Sequence, residues 1–71
     1  MTFKVGDKVM IARGSQYDIG TQWNPTNTIG VVRRVHDNLI KVEYVVRWST
    51  GMHNVYGLFD LVRASYDIQS R

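Results

Sequence analysis

The sequence contains no cysteine and a single proline, Pro25. Without cysteine, neither a disulfide framework nor a thiolate zinc site is available to stabilise the fold. Long apolar runs are also missing, because the first seven residues carry no apolar signal region and no segment approaches the length of a membrane span. We therefore expect a cytoplasmic protein that does not enter the membrane and that depends on its hydrophobic core for stability.

Signatures of catalysis are missing as well. The chain has no glycine-rich phosphate loop, no pair of histidines at helical spacing and no nucleophile elbow. Its two histidines, His36 and His53, have no cysteine or carboxylate partners at the spacing of metal ligands. A chain of this size also has little structure with which to hold a rigid active site. We expect no enzyme activity, no cofactor and no bound metal.

What the sequence does contain is typical of one small folded domain. The 71 residues are 44% hydrophobic, 11% aromatic and 21% charged, which is a composition of globular rather than disordered chains. A chain this short buries only about 60% of the surface that its unfolded form exposes, so its stability is marginal. Nine Lys and Arg residues against six Asp and Glu give a net charge of +3. A small basic protein of this kind favours contact with an anionic partner, although the same charge also aids solubility.

The hydrophobic pattern predicts strands almost throughout the chain. β-Branched and aromatic residues alternate with polar ones in short runs, and helical periodicity is nearly absent. The five runs are residues 8–13, 29–36, 39–48, 52–56 and 61–63. The third run alternates most regularly and places one apolar set on a single face, namely Ile40, Val42, Tyr44, Val46 and Trp48.

Turn-forming residues separate these runs. Gly6 predicts a tight turn that folds Val5 back over the core, and Asp37 with Asn38 predicts a two-residue hairpin turn. Residues 49–51 predict a three-residue hairpin with Gly51 in the left-handed region, and residues 57–60 predict a single 3₁₀ turn. The loop of residues 14–28 shows no alternation, and a loop of this length in so small a domain is usually functional or disordered. The predicted fold is all-β: a small five-stranded SH3-like barrel over residues 1–63, followed by a polar tail at 64–71.

Three segments resemble a known family. "VGDKVMIARG" from Val5, "IGVVRRV" from Ile29 and "VRWSTGMHNVYGLFDLV" from Val46 are similar to the Mind-bomb-type SH3-like domain and its small stand-alone bacterial and phage relatives. The resemblance spans about residues 3–63, and the matching positions are Val5, Gly6, Val9, Gly30, Val32, Trp48, Gly51, Asn54, Tyr56, Asp60 and Leu61. It implies the barrel and a binding module. The stand-alone phage relatives imply an adaptor or inhibitor, such as a phage accessory protein.

The chain departs from that family in two places. The loop of residues 14–28 lacks the tryptophan-and-acid-rich stretch of the eukaryotic ubiquitin-ligase domains, although Trp23 lies in it, and the segment between Tyr56 and Asp60 is shorter. The segment of residues 29–35 also resembles the KOW motif of ribosomal and transcription-factor barrels, with Gly30 as its central glycine. That glycine is equally well explained by a barrel strand that has to bend.

The aromatic residues give the first hypothesis, a protein-interaction module. Its predicted partner-binding residues are Tyr17, Trp23, Tyr56, Phe59 and Asp60. Large side chains of this kind act as anchors in shallow grooves. A structural role competes for each of the aromatic residues: Tyr17 and Trp23 would anchor the loop, and Tyr56 and Phe59 would fill the core. Trp48 is predicted to be a core residue, and Asn54 is predicted to form structural hydrogen bonds with the neighbouring turn.

The basic residues give the alternative, a nucleic-acid-binding barrel. Its predicted contacts are Arg13, Arg34, Lys41 and Arg47, with Trp23 stacking on a base. Arg33 and Arg34 are adjacent on a strand and therefore point to opposite faces. Arg34 could lie on the same outer face as Lys41 or Arg47 across the hairpin. The competing interpretation is that these charges keep the outer face in contact with water. A protein partner is the leading expectation, nucleic acid the second, and the chain would act as a monomer or a homodimer.

Overall fold

The computed structural model describes residues 2–64. Its elements are β1 (Lys8–Ile11), β2 (Gly30–Asp37), β3 (Val42–Trp48), β4 (His53–Gly57), a 3₁₀ turn (Leu58–Asp60) and β5 (Leu61–Arg63). The strands form one antiparallel sheet in the order β4-β3-β2-β1-β5. The predicted all-β class is confirmed, and the two edge strands do not pair with each other. Within the described part of the chain, no helix has the length and apolar character that a membrane crossing requires.

The core lies on one face of this sheet and follows the predicted alternation. Along β3, Tyr44, Val46 and Trp48 are buried, and the residues between them lie on the outer face. The buried hydrophobic residues are Phe3, Val9, Ile11, Val32, Tyr44, Val46, Trp48, Tyr56, Leu61 and Ala64. Trp48 and Tyr56 pack edge to face with ring centroids 5.6 Å apart. The prediction that Trp48 belongs to the core is confirmed.

The turn between β2 and β3 differs from the prediction. Asp37 pairs with Val42, so the connection is residues 38–41 rather than the two residues Asp37 and Asn38. The Asn38 side chain accepts hydrogen bonds from the backbone N–H groups of Ile40 and Lys41, at 2.9 and 3.0 Å. These bonds stabilise a wider turn, in which Asn acts through its short side chain. Ile40 therefore lies outside the strand and is 91% exposed, not on the apolar face.

The N-terminal turn also differs in one residue. Gly6 has a φ of 96°, as the tight turn requires. The residue that folds back over the core is Phe3, whose ring packs edge to face on Tyr44 with centroids 5.4 Å apart. Val5 is 60% exposed. Val5 lies within the turn itself, so its side chain points to solvent while the preceding segment reaches the sheet.

The end of β5 extends the packed domain by one residue. Ala64, which the sequence assigned to the tail, is buried, and its N–H donates to the carbonyl of Lys8 at 2.9 Å. The remainder of the predicted tail, residues 65–71, lies outside the described residues.

Asp7 joins the N-terminal turn to β5. Its carboxylate accepts a hydrogen bond from the Lys4 backbone N–H at 3.0 Å and forms an ion pair with Arg63 at 3.0 Å. The Arg63 guanidinium lies over the Phe3 ring, 5.3 Å from its centroid. The Lys4 N–H, together with Arg63 and the Lys4 ammonium, holds the pKa of Asp7 below its usual range, although burial opposes them.

This arrangement predicts an acid-dependent loss of stability. Because the pKa of Asp7 is lowered in the folded state, its contribution is present above the unfolded pKa of about 4 and is lost as the pH falls through the folded pKa. In Asp7→Asn, the free energy of unfolding is expected to fall less between pH 5 and pH 2 than in the wild type. Urea titrations of both proteins at matched pH measure this, and parallel pH profiles would contradict it.

Gly30 allows β2 to lie against the largest core side chain. A Cβ at this position would lie 2.5 Å from Trp48 Cε3 and 2.6 Å from Val46 Cγ1. Both neighbours are completely buried and have no room to move. A close approach therefore explains this glycine, since its backbone is not in the left-handed region.

Gly30→Ala is expected to destabilise the fold by about 1–3 kcal/mol, the range for overpacking a core. Gly57→Ala is a matched control, because its Cβ would meet only Asp60 Oδ2 at 3.4 Å. Denaturant unfolding of both variants gives the comparison. Equal free energies of unfolding for the two variants would show that Trp48 and Val46 move aside at little energetic cost.

Candidate functional site

The loop between β1 and β2 is fixed to the sheet near its start. The Ser15 hydroxyl donates to Asp60 Oδ1 at 2.8 Å, and the Ala12 N–H donates to the Asp60 carbonyl at 2.7 Å. The half-buried Tyr17 ring packs edge to face on Tyr56 with centroids 5.3 Å apart. Tyr17 therefore serves as a loop anchor, which is the structural role weighed for it.

The second half of the loop is held by the Tyr56 hydroxyl. This oxygen accepts a hydrogen bond from Trp48 Nε1 at 3.0 Å and donates to Asn24 Oδ1 at 2.7 Å, with the Trp23 carbonyl 3.3 Å away. Asn54 Nδ2 donates to the same Asn24 oxygen at 3.0 Å. Asn54 is thus a structural hydrogen-bonding residue, but its partners are Asn24 of the loop and the Val55 N–H rather than the neighbouring turn for which it was predicted. Burial, ahead of the other contributions, raises the pKa of Tyr56.

Two of these side chains also cover the free edge of β4. Antiparallel pairs alternate between bonded and non-bonded, so the N–H groups of Val55 and Gly57 point away from β3. Asn54 Oδ1 accepts from the Val55 N–H at 2.9 Å, and Asp60 Oδ2 accepts from the Gly57 N–H at 3.2 Å. Two of the outward N–H groups of this edge are therefore satisfied within the domain, which makes it a poorer template for another strand.

The five predicted partner-binding residues divide into two groups. Tyr56 is buried, Tyr17 packs on it, and both carboxylate oxygens of Asp60 accept hydrogen bonds from within the domain. Trp23 and Phe59 instead expose their rings, with 51% and 91% of the residue accessible. The structure thus leaves two aromatic rings of the predicted site open to a partner.

Phe59 stands between two apolar depressions. One, of about 440 Å³, is lined by Lys41, Val42, Glu43, Gly57, Leu58 and Phe59. The other, of about 290 Å³, is lined by Phe3, Leu58, Phe59, Leu61 and Val62. Neither includes Tyr17, Trp23 or Tyr56. We call these two depressions, together with the Phe59 ring between them, the Phe59 surface.

Leu58 was not among the predicted site residues. The sequence does indicate that one residue of the pair lies outside the core, because Leu58 and Phe59 are adjacent in a one-turn helix and cannot both point into the core. Leu58 is half-buried against the core cluster, which leaves Phe59 outside it.

The predicted nucleic-acid contacts are also divided. Arg34 and Arg47 lie on the outer face of the sheet, where Arg34 pairs with Val45 and Arg47 with Val31. Lys41 forms an ion pair with Glu43 at 3.2 Å. Arg13 lies in the loop after β1, beyond the strand pairings. Lys8, which the sequence analysis did not select, pairs with Val31 and joins the outer face.

Two further findings bear on the site. Among residues 2–64 there is no cluster of three or more His, Cys, Asp or Glu side chains arranged to hold a metal ion. Comparisons with protein-family models, with curated proteins and with solved structures gave no match to this chain. The Mind-bomb-type resemblance therefore stays a prediction from the sequence.

The Tyr56 hydroxyl gives a testable prediction about the loop. Tyr56→Phe leaves the buried Trp48 N–H without an acceptor and removes the bond to Asn24, so a loss of about 1–3 kcal/mol is expected. Tyr44→Phe is the matched control, because this equally buried hydroxyl has only a 3.4 Å contact with the Phe3 N–H.

Thermal and urea unfolding of both variants, with amide exchange across residues 12–29, provides the measurement. Faster exchange in the loop is expected for Tyr56→Phe only. Equal losses of stability in the two variants would mean that the hydroxyl does not hold the loop.

Proposed function

We propose that this chain is a non-catalytic protein-interaction module with an SH3-like barrel fold, which binds a partner protein through Trp23 and the Phe59 surface. The connection between β4 and β5 supports the barrel. These strands lie at opposite edges of the sheet, about 19 Å apart if the sheet were flat. The turn that joins them has three residues and, at about 2 Å rise per residue, spans about 6 Å. The sheet must therefore curl so that its edges approach.

The exposure of Phe59 is the observation that carries the binding proposal. A phenylalanine that is 91% exposed forgoes most of the burial that a small domain needs. Phe59 lies beside two apolar depressions, and Leu58 and Phe59 line both of them. Apolar side chains of a partner would fill these depressions and bury the ring between them, in the manner of an interface hot spot.

The internal bonds of the 3₁₀ turn explain how Phe59 is presented. Asp60 accepts hydrogen bonds from Ser15 and from the Gly57 N–H, which fixes the turn against the loop. Its role in the proposed site is therefore positioning rather than contact. A ring held on a rigid turn loses little conformational freedom on binding, which favours affinity.

Trp23 is presented in a similar way. The Tyr56 hydroxyl lies 3.3 Å from the Trp23 carbonyl, while the neighbouring Asn24 side chain bonds to Tyr56 and Asn54. These bonds involve the backbone of Trp23 and not its ring. The ring therefore contributes to a contact surface at little cost to the fold, and its removal tests function more than stability.

An adaptor or an inhibitor that covers part of a larger protein fits a module of this kind. The resemblance to stand-alone phage relatives supports this proposal, as does the small size of the domain. Because the contact is apolar, its affinity is expected to change little between about 50 and 200 mM salt, unlike binding that depends on phosphate contacts.

Affinity capture from a cell lysate, followed by titration of the captured and purified protein, tests the proposal. Phe59→Ala and Trp23→Ala are each expected to weaken binding about tenfold or more, as hot-spot truncations do. The free energy of unfolding of Phe59→Ala should differ from that of the wild type by no more than about 0.5 kcal/mol, since the side chain is exposed. Ile19→Ala, another exposed apolar residue of the loop, is the matched control. Unchanged affinity in both aromatic variants would refute the proposed surface.

A further inference from the structure

A row of outward-facing residues crosses four adjacent strands. The register aligns Lys8 of β1 with Val31 of β2, Val31 with Arg47 of β3, and Arg47 with His53 of β4. Their neighbours along the strands, such as Val9, Val46 and Trp48, point into the core. Lys8, Arg47 and His53 are exposed, so the row presents basic side chains on the outer surface of the sheet.

A β-bulge adds Arg34 to the same face. Val32 points inward, so strict alternation would also turn Arg34 inward. The register shifts between Val32 and Arg34, which places Arg34 opposite the outward-facing Val45 and returns Val35 to the position opposite Tyr44. Arg34 and Arg47 thereby become diagonal neighbours on the outer face, a separation that long side chains bridge.

The charges of this face are not neutralised by the rest of the described chain. The ion pairs within residues 2–64 join Asp7 to Lys4 and Arg63, and Lys41 to Glu43. Lys8, Arg34 and Arg47 take part in none of them. Glu43 lies opposite His36 and is also a diagonal neighbour of Arg34, but the ion pair that its carboxylate forms is with Lys41.

The side chains between the basic residues narrow the type of ligand. Val31, Val45 and Val55 occupy the intervening positions, and the only aromatic rings in the strand pairings of this face are the small imidazoles of His36 and His53. The face therefore lacks the Phe, Tyr or Trp rings that form a stacking platform for single-stranded bases. Neither apolar depression includes Lys8, Arg34 or Arg47, so these residues do not line the grooves proposed for a protein anchor. They form a set of surface cations, with Lys8 and Arg47 two strands, or about 10 Å along the sheet, apart.

We propose that this outer face binds the phosphate backbone of a double-stranded nucleic acid, independently of its sequence, through Lys8, Arg34 and Arg47. Cations on the outer face of a sheet contact phosphates without reading bases, and three such contacts give weak binding that decreases with salt. The proposal is independent of the Phe59 surface. Arg13 and Lys41, which the sequence grouped with Arg34 and Arg47, are not part of it.

Fluorescence anisotropy with a labelled mixed-sequence DNA duplex, an RNA duplex and a single strand of equal length tests this. For three contacts, the slope of log affinity against log salt is expected to be about −3 for a duplex. Arg34→Gln and Arg47→Gln should each weaken duplex binding several-fold on every sequence and reduce the slope by about one. The two duplexes distinguish DNA from RNA as the source of the phosphates, and binding to either supports the proposal.

Arg13→Gln is the matched control, because it removes the same charge from the loop after β1. Its affinity should stay close to the wild type, and Phe59→Ala should bind duplex normally whether or not it binds a protein partner. Absence of duplex binding at about 25 mM salt, where phosphate contacts are strongest, would overturn the proposal. So would an equal loss in Arg13→Gln, tighter binding to the single strand, or equally tight binding to labelled polyglutamate, which would indicate an acidic protein as the ligand.

Discussion

Burial of Trp48 and Tyr56 sets the main constraint on this domain. The two rings fill a core that has no disulfide to support it, and each brings a polar group into the interior. The Trp48 N–H finds its acceptor in the Tyr56 hydroxyl, and that hydroxyl needs an acceptor in turn. Asn24 supplies it from the long loop. The buried polar groups of the core therefore find their hydrogen-bond partners only when the loop lies on the sheet. Core packing and loop position depend on each other.

The rest of the architecture follows from this arrangement. Gly30 has no side chain because the Trp48 ring occupies the space that one would need. Asn54 and Asp60 each serve two purposes, since one bonds the loop through Asn24, the other through Ser15, and both satisfy an outward N–H of β4. A domain of this size has few polar side chains, and Asn54 and Asp60 each form more than one structural hydrogen bond. The rings of Trp23 and Phe59 take part in none of these contacts.

The sequence predicted the class and the inner face because alternation is a local signal. Tyr44, Val46 and Trp48 are buried where the pattern placed them. It failed where a competing local interaction decided the outcome: Asn38 bonded its own turn and drew Ile40 out of β3. The alternation could not show this, because Ile40 fits the apolar period as well as Val42 does. Phe3 likewise replaced Val5 over the core, since the geometry of the turn and not hydrophobicity selects between them.

The site was less predictable because its members are separated by long-range contacts. The sequence grouped Tyr56 with Phe59, although Tyr56 lies on the inward face of β4 and is buried, whereas Phe59 lies within the 3₁₀ turn and is exposed. It also placed Arg33 and Arg34 on opposite faces, whereas both are exposed, because the bulge in β2 interrupts the alternation between Val32 and Arg34. A single extra residue thereby determines whether Arg34 joins Arg47. The proposed protein contact and the proposed phosphate contact thus depend on different features, a rigid turn for Phe59 and a strand irregularity for Arg34, and each can be lost without the other.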